Sequence, residues 1–176
     1  MVMMLVGTCS IGLAAQTTTE VHPGKGTPPS PHIKTTWVID GANISIEYGR
    51  PSLRGRSDAT LMPPGRPWRT GADEATLLTT DKPLTFGTLA VPVGTHTINT
   101  QPDATEWQLI LGKLNAAGQW GVPYEPGLET GRAPMRLAAT SAPVETLTIF
   151  IDDTPSGGTL RIEWGSKSAT IPFTVG

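Results

Sequence analysis

Apolar and polar residues alternate over short stretches of this chain, and turn-forming residues separate the stretches. Between residues 43 and 48, Ile44, Ile46 and Tyr48 fall on one side and Ser45 and Glu47 on the other. A two-residue period is the mark of a strand with one buried face. A partner strand is expected at residues 33–39, because Asp40-Gly41 between the two is a favoured tight-hairpin pair. The same alternation puts Trp107, Leu109 and Leu111 on one face of residues 106–111. It does so again for Leu147, Ile149 and Ile151, and for Leu160, Ile162 and Trp164. Further strands are expected at 75–80, 84–86, 89–91, 95–100, 135–139 and 168–175. Gly157-Gly158 is expected as a hairpin turn, and residues 120–134 as an irregular segment. No segment longer than about ten residues repeats its apolar positions at helical spacing. Around ten short strands with frequent turns predict an all-β domain, a single antiparallel β sandwich or jelly roll. Trp107, Leu109, Leu147, Ile149, Ile162 and Trp164 are its expected core.

Composition sharpens this picture. A chain of 176 residues suits one domain with a sizeable core. The 20 Gly and 17 Pro favour turns and short strands over helices. The formal net charge of −2 provides no global field for nucleic acid or an anionic membrane, so neither partner is expected. Residues 1–15 are apolar and small and end in Gly12-Leu13-Ala14-Ala15, which resembles a secretory signal cleaved before Gln16. Such a run is too short to span a bilayer comfortably. Export to the periplasm or the extracellular space follows as the expectation, against a disordered apolar tail. No Lys or Arg precedes the run, which suggests a start codon further upstream. Cys9 is the only cysteine. Acylation there is the lesser reading, because Thr8 stands where a small residue usually precedes a lipidated cysteine. The mature domain then has no thiol for a disulfide, a metal or catalysis. Residues 16–32 carry a Thr run followed by Pro and Gly and have little to bury, so they read as an extended, mobile linker before a domain at 33–176. His22 and His32 read as solvated linker residues rather than metal ligands.

Candidate chemistry concentrates in one place. Five of the eight Arg fall between Arg50 and Arg69, followed by Asp73 and Glu74. There is no phosphate-cradling glycine loop, no His-Glu-x-x-His, no paired-Cys motif and no Gly-x-Ser-x-Gly elbow. No cofactor and no metal are therefore expected. His96 is the one His outside the linker, and it shares a strand face with Ile98. A lone His on such a face is more often a core residue with a hydrogen-bond partner than a catalyst. Arg50 continues the inward parity of Ile44, Ile46 and Tyr48, and Pro51 ends the strand beside it. A half-buried guanidinium needs acceptors to be tolerated. The structural reading is a lock in which Arg50 and Arg69 bond Glu47, Asp73 or Glu74. The functional reading is a site where these groups meet a polar ligand beside Trp68.

The same residues carry a resemblance. Tyr48-x-Arg50-Pro51-Ser52 with Gly55-Arg56, then Trp68-Arg69-Thr70-Gly71-Ala72-x-Glu74-Ala75-Thr76, resembles the bacterial family catalogued as domain of unknown function 2911. Val93-Gly94-Thr95, Trp107 and Trp120-Gly121 extend the likeness over residues 34–173. The chain has Asp73 where that family commonly has Asn, and His96 where it commonly has an aromatic. The resemblance implies an exported bacterial protein and carries no settled activity or catalytic residues. Two function classes follow. One is a non-catalytic exported module that binds a polar ligand, a glycan or a protein through Glu47, Tyr48, Arg50, Trp68, Arg69, Asp73, Glu74 and His96. The other is a cell-envelope hydrolase or isomerase using Glu74 or Asp73 with His96 as acid and base. A pocket shared by His96 and the acid pair would favour the second.

Overall fold

The strands of the protein follow the alternation of its sequence. The computed structural model describes residues 16–21, 30–116 and 124–176. The expected signal segment, His22 and Trp120-Gly121 lie outside these residues. In chain order the elements are β1 (Gln16–Glu20), β2 (His32–Ile39), β3 (Ala42–Gly49), α1 (Asp58–Leu61), β4 (Ala72–Thr80), β5 (Leu84–Phe86), β6 (Leu89–Val91), β7 (Gly94–Gln101), β8 (Glu106–Gly112), β9 (Glu129–Thr154) and β10 (Gly157–Val175). The strands make one antiparallel sheet in the order β1-β2-β3-β4-β7-β8-β9-β10-β5-β6. The all-β antiparallel expectation holds. Among the described residues no helix is long and apolar enough to cross a membrane.

The β2–β3 hairpin turns at Asp40 and Gly41, whose φ angles of 47° and 74° are both positive. A two-residue turn of that kind matches the twist of its strands. Ala42, Ile44, Ile46 and Tyr48 are buried on one face of β3, as their period requires. They share one hydrophobic core with Trp107, Leu109, Leu147, Ile149, Ile162 and Trp164, none of which is more than 2% exposed. Residues of β2 to β4 thus meet residues of β9 and β10, because the sheet folds over on itself. The Tyr48 hydroxyl accepts a hydrogen bond of 2.9 Å from the Ile149 N–H and ties the two halves. Beyond β3, residues 51–53 lie along β9. Leu53 N–H bonds Glu145 O and Leu147 N–H bonds Pro51 O, both at 2.9 Å.

Four expectations about elements are corrected. The strands expected at 135–139 and 145–151 are parts of β9, which begins at Glu129 inside the segment expected to be irregular. Likewise β10 runs through both 159–164 and 168–175. Gly165 pairs with Val144 and Lys167 with Ala139, so the intervening residues of β9 bulge from the ladder without ending it. Bulges of this sort look like turns in a sequence. Gly157 and Gly158 are not the turn, since they pair with Thr154 and Asp153 and leave Pro155-Ser156 to turn the chain. A side chain at Gly157 would strike the Phe173 carbonyl, and one at Gly158 the Phe173 ring. Finally, residues 16–20 of the expected linker form β1 along β2. Every residue of β1 is exposed. Thr-rich sequence favours extension, and the free edge of β2 supplies the backbone partners.

Candidate functional site: a cleft lined by arginine and tryptophan

Where β3 ends, the chain must leave the sheet and come back to β4. Arg54 and Gly55, with φ of 51° and 72°, turn it outward. Ser57 then caps the single turn of α1, its hydroxyl accepting from Thr60 N–H at 3.2 Å. Arg56 folds back on this turn. Its Nε donates to Leu53 O and its Nη2 to Ser52 O, each at 2.9 Å. On the return, Trp68 exchanges two backbone hydrogen bonds with Thr100, of 2.7 and 2.8 Å. Thr70 is fully buried with φ of 58°, a strained conformation for a β-branched residue. Three contacts hold it there. Its hydroxyl donates to Trp68 O and bonds the Thr100 hydroxyl, and its carbonyl accepts from the Thr76 hydroxyl at 2.9 Å. Gly71 must be glycine, because a Cβ would lie 2.7 Å from that same Thr76 oxygen.

The acid pair sits in a bulge. Gly49 pairs with Ala72 and Glu47 with Leu77, so β4 has more residues than β3 between these two rungs. Asp73 and Glu74 occupy the extra length, Asp73 with φ of 62°. His32 lies in the same row, since it pairs with Gly49 across β2 and β3. A Cβ on Gly49 would run into Ala72 O and come within 3.0 Å of His32 Nε2. The glycine therefore makes room for the ring. His32 Nε2 is 3.3 Å from Asp73 Oδ2 and Nδ1 is 3.7 Å from Glu74 Oε2, with the His32 side chain 1% exposed. The expectation that His32 is a solvated linker residue is thus corrected. No sequence spacing marks it; only the register of β2 on β3 brings it to the bulge.

These segments wall a cleft of about 540 Å³. Arg54, Arg56, Trp68, Arg69, Asp73 and Trp164 line it, with Ser52, Leu61, Pro67 and Tyr124. The Trp68 ring stacks on Trp164 with centroids 5.4 Å apart and planes 14° apart. Trp164 is itself fixed by an Nε1 hydrogen bond of 3.1 Å to Glu145 O. Of the residues singled out in the sequence, Trp68, Arg69 and Asp73 line this cleft. Tyr48 belongs to the core, where burial pushes its phenol above the ordinary tyrosine value. Glu47 and Glu74 are half-buried and do not line the cleft.

The lock at Arg50 exists but is built differently from the expectation. Arg50 Nε donates to Leu147 O at 3.2 Å and Nη2 to the Thr148 hydroxyl at 3.1 Å. Arg69 Nε donates to Gly71 O at 3.4 Å. Among the described residues neither Arg50 nor Arg69 comes within ion-pair distance of a carboxylate. Inward parity aimed Arg50 at a half-buried position, and the carbonyl and hydroxyl of β9 satisfy it there. His96 is not brought to the acid pair. Its half-buried ring donates from Nε2 to Pro92 O at 2.8 Å and lines another pocket, with Val91, Leu111 and Leu114.

A second charged cluster stands at the rim, where Tyr124 lines the cleft. Arg132 donates to both oxygens of Glu129, at 2.6 and 2.8 Å, to the Tyr124 hydroxyl at 2.9 Å and to Gln101 Oε1 at 2.9 Å. Tyr124 in turn donates to Glu129. Arg132 holds the Glu129 carboxyl below the ordinary glutamate value, and Glu129 raises the phenol of Tyr124. Among the described residues no group of His, Cys, Asp and Glu side chains is arranged to hold a metal.

Sequence reasoning passed over Arg54, Arg56 and Trp164 as site residues. Both Arg lie in the Arg-rich stretch that drew attention, and only the turn at Arg54-Gly55 brings them to the cleft. Trp164 was placed in the core by its parity, and it is there, with one ring face turned to Trp68. The family described as "Protein of unknown function (DUF2911)" matches residues 30–173, and the chain belongs to it. No curated protein and no solved structure matches the chain.

Proposed function

We propose that this DUF2911 protein is an exported, non-catalytic β domain that binds a polar ligand, such as a glycan, in the cleft beside Trp68. The observation that carries this reading is the lining itself. Arg54, Arg56 and Arg69 line the cleft together with a stacked Trp pair, around an open volume of about 540 Å³. A cleft of that size, walled by rigid elements with a few polar groups, has the form of a ligand site. Trp68 is held by its backbone bridge to Thr100 and by Trp164, and Arg56 by two carbonyls, so little ordering remains to be done on binding. The acid–base alternative draws no support from this arrangement. His96 and the acid pair do not share a pocket, and the ring of His32 is sealed from solvent. The case for export rests on the apolar residues 1–15 and their small-residue end.

A thermal-shift panel of polar ligands tests the binding reading, since a ligand that binds only the folded state adds about 2.7 kcal/mol at a hundred times its Kd. The expected result is a rise in Tm that Trp68→Ala removes. A rise that survives Trp68→Ala places the ligand elsewhere. Intact-mass measurement of protein produced in a bacterial host tests export. Loss of residues 1–15 is expected, and recovery of the uncut chain from the cytoplasm counts against it.

A further inference from the structure

We infer that the cleft takes an anionic saccharide, with a sugar ring against Trp68 and its acid group held by Arg54, Arg56 and Arg69. This rests on the proposal that the cleft is a binding site, and it names the ligand class. The charge balance of the cleft favours an anion. Three arginines line the cleft against one acidic residue, Asp73, among the described residues. Asp73 lies 3.3 Å from His32. The other nearby acids are engaged too. Asp58 lies 3.6 Å from Lys167, and Glu145 accepts from the backbone N–H of Arg54 rather than from its guanidinium. None of the three Arg makes an ion pair among the described residues. No ion pair among the described residues therefore neutralises them at a concave surface, where low-dielectric walls concentrate the field on an anion.

The donors of Arg56 are fixed in place as well. Arg56 spends one N–H of Nε and one of Nη2 on the carbonyls of Leu53 and Ser52. Its remaining N–H groups stay available in a fixed plane. A planar, anchored guanidinium is suited to the two oxygens of a carboxylate or phosphate.

One face of Trp68 is covered by Trp164. A flat base or aromatic acid gains most between two rings, whereas a single aromatic platform suits the C–H face of a sugar whose hydroxyls need polar neighbours. Ser30 in the lining offers such a neighbour. A uronic carboxylate and a sugar phosphate share this recognition.

Calorimetric titration of the full chain separates these cases, with trigalacturonate, neutral galactotriose, galactose 1-phosphate, inorganic phosphate and adenosine monophosphate as probes. An acidic sugar is expected to bind at least about tenfold tighter than galactotriose, a difference of about 1.4 kcal/mol, and to weaken as salt is raised. The tighter of trigalacturonate and galactose 1-phosphate identifies the acid. Arg54→Met and Arg56→Met should each lower that affinity several-fold while the Tm holds. Arg54 is exposed, so its variant serves even if a change at Arg56 disturbs the turn. Equal binding of galactotriose would overturn the anionic inference and leave the binding site standing. Inorganic phosphate binding as tightly as galactose 1-phosphate would remove the sugar from the inference, and tighter binding of the nucleotide would replace it. Failure of every probe, together with no hit in the wider panel, would overturn both the inference and the reading beneath it.

Discussion

Arg132 and Arg56 lie in two charged regions beside one cleft and are held in opposite ways. Arg132 meets both oxygens of Glu129, the Tyr124 hydroxyl and Gln101, so its charge is matched where it stands. Arg56 is held by the carbonyls of Leu53 and Ser52, which fix its position without cancelling its charge. Arg161 follows the first pattern, bound by both oxygens of Asp152 at 2.8 and 2.9 Å. Arg56 and Arg69 follow the second, Arg69 through the Gly71 carbonyl at 3.4 Å. A guanidinium matched by a carboxylate has little left to give a ligand, whereas one oriented by peptide dipoles keeps its full attraction for an anion. Density of arginine in the sequence therefore says less than what each one is bonded to.

The strongest way to break this contrast is to remove the frame both regions share. Ile149→Ala should cost about 2–5 kcal/mol, as for other buried large-to-small changes. Urea unfolding followed by fluorescence and by circular dichroism should show one transition. Two transitions would mean that the regions do not hang on one core.

Arg50 is the intermediate case. Its partners are neutral, yet it is half-buried on β9. Arg50→Met leaves Leu147 O without its side-chain donor and should cost about 1–3 kcal/mol. A double-mutant cycle with Thr148→Val should show coupling of at least about 0.5 kcal/mol. A cost near zero would move Arg50 into the ligand-facing group.

The matched region should respond to acid. Arg132 holds Glu129 below its ordinary value. This contribution is present above the unfolded glutamate value of 4.5 and is lost as pH falls through the lower folded value. Glu129→Gln should remove that part of the acid loss in thermal melts. Both side chains are partly exposed, at 34% and 21%, so the cost at neutral pH should be only about 0–1 kcal/mol. A variant that still loses the same increment below pH 4.5 would show that other groups carry it.

The smallest effect on stability belongs to the cleft. Arg56→Met should shift unfolding by no more than about 0.5 kcal/mol, while the affinity for an acidic sugar falls. A large destabilisation with unchanged binding would place Arg56 with Arg132 and dissolve the contrast.

Alternation along β3, β8, β9 and β10 was readable because a period of two depends only on neighbours in the chain. It determined the all-β class and the buried faces of Ile44, Tyr48, Trp107, Ile149 and Trp164. The Asp40-Gly41 hairpin was readable for the same local reason. The concentration of arginine beside Trp68 was also plain, and Arg54, Arg56 and Arg69 from it line one cleft. What each charged group bonds was decided elsewhere. Pairing of β2 with β3 sets His32 opposite Gly49, and the absence of a Cβ there lets the ring reach Asp73 and Glu74. Folding of the sheet brings Leu147 and Thr148 to Arg50, some hundred residues away along the chain, and stacks Trp164 on Trp68. Hydrogen bonds and ring contacts act over a few ångströms, so their partners follow from register and from the fold of the sheet. No spacing within the chain encodes them.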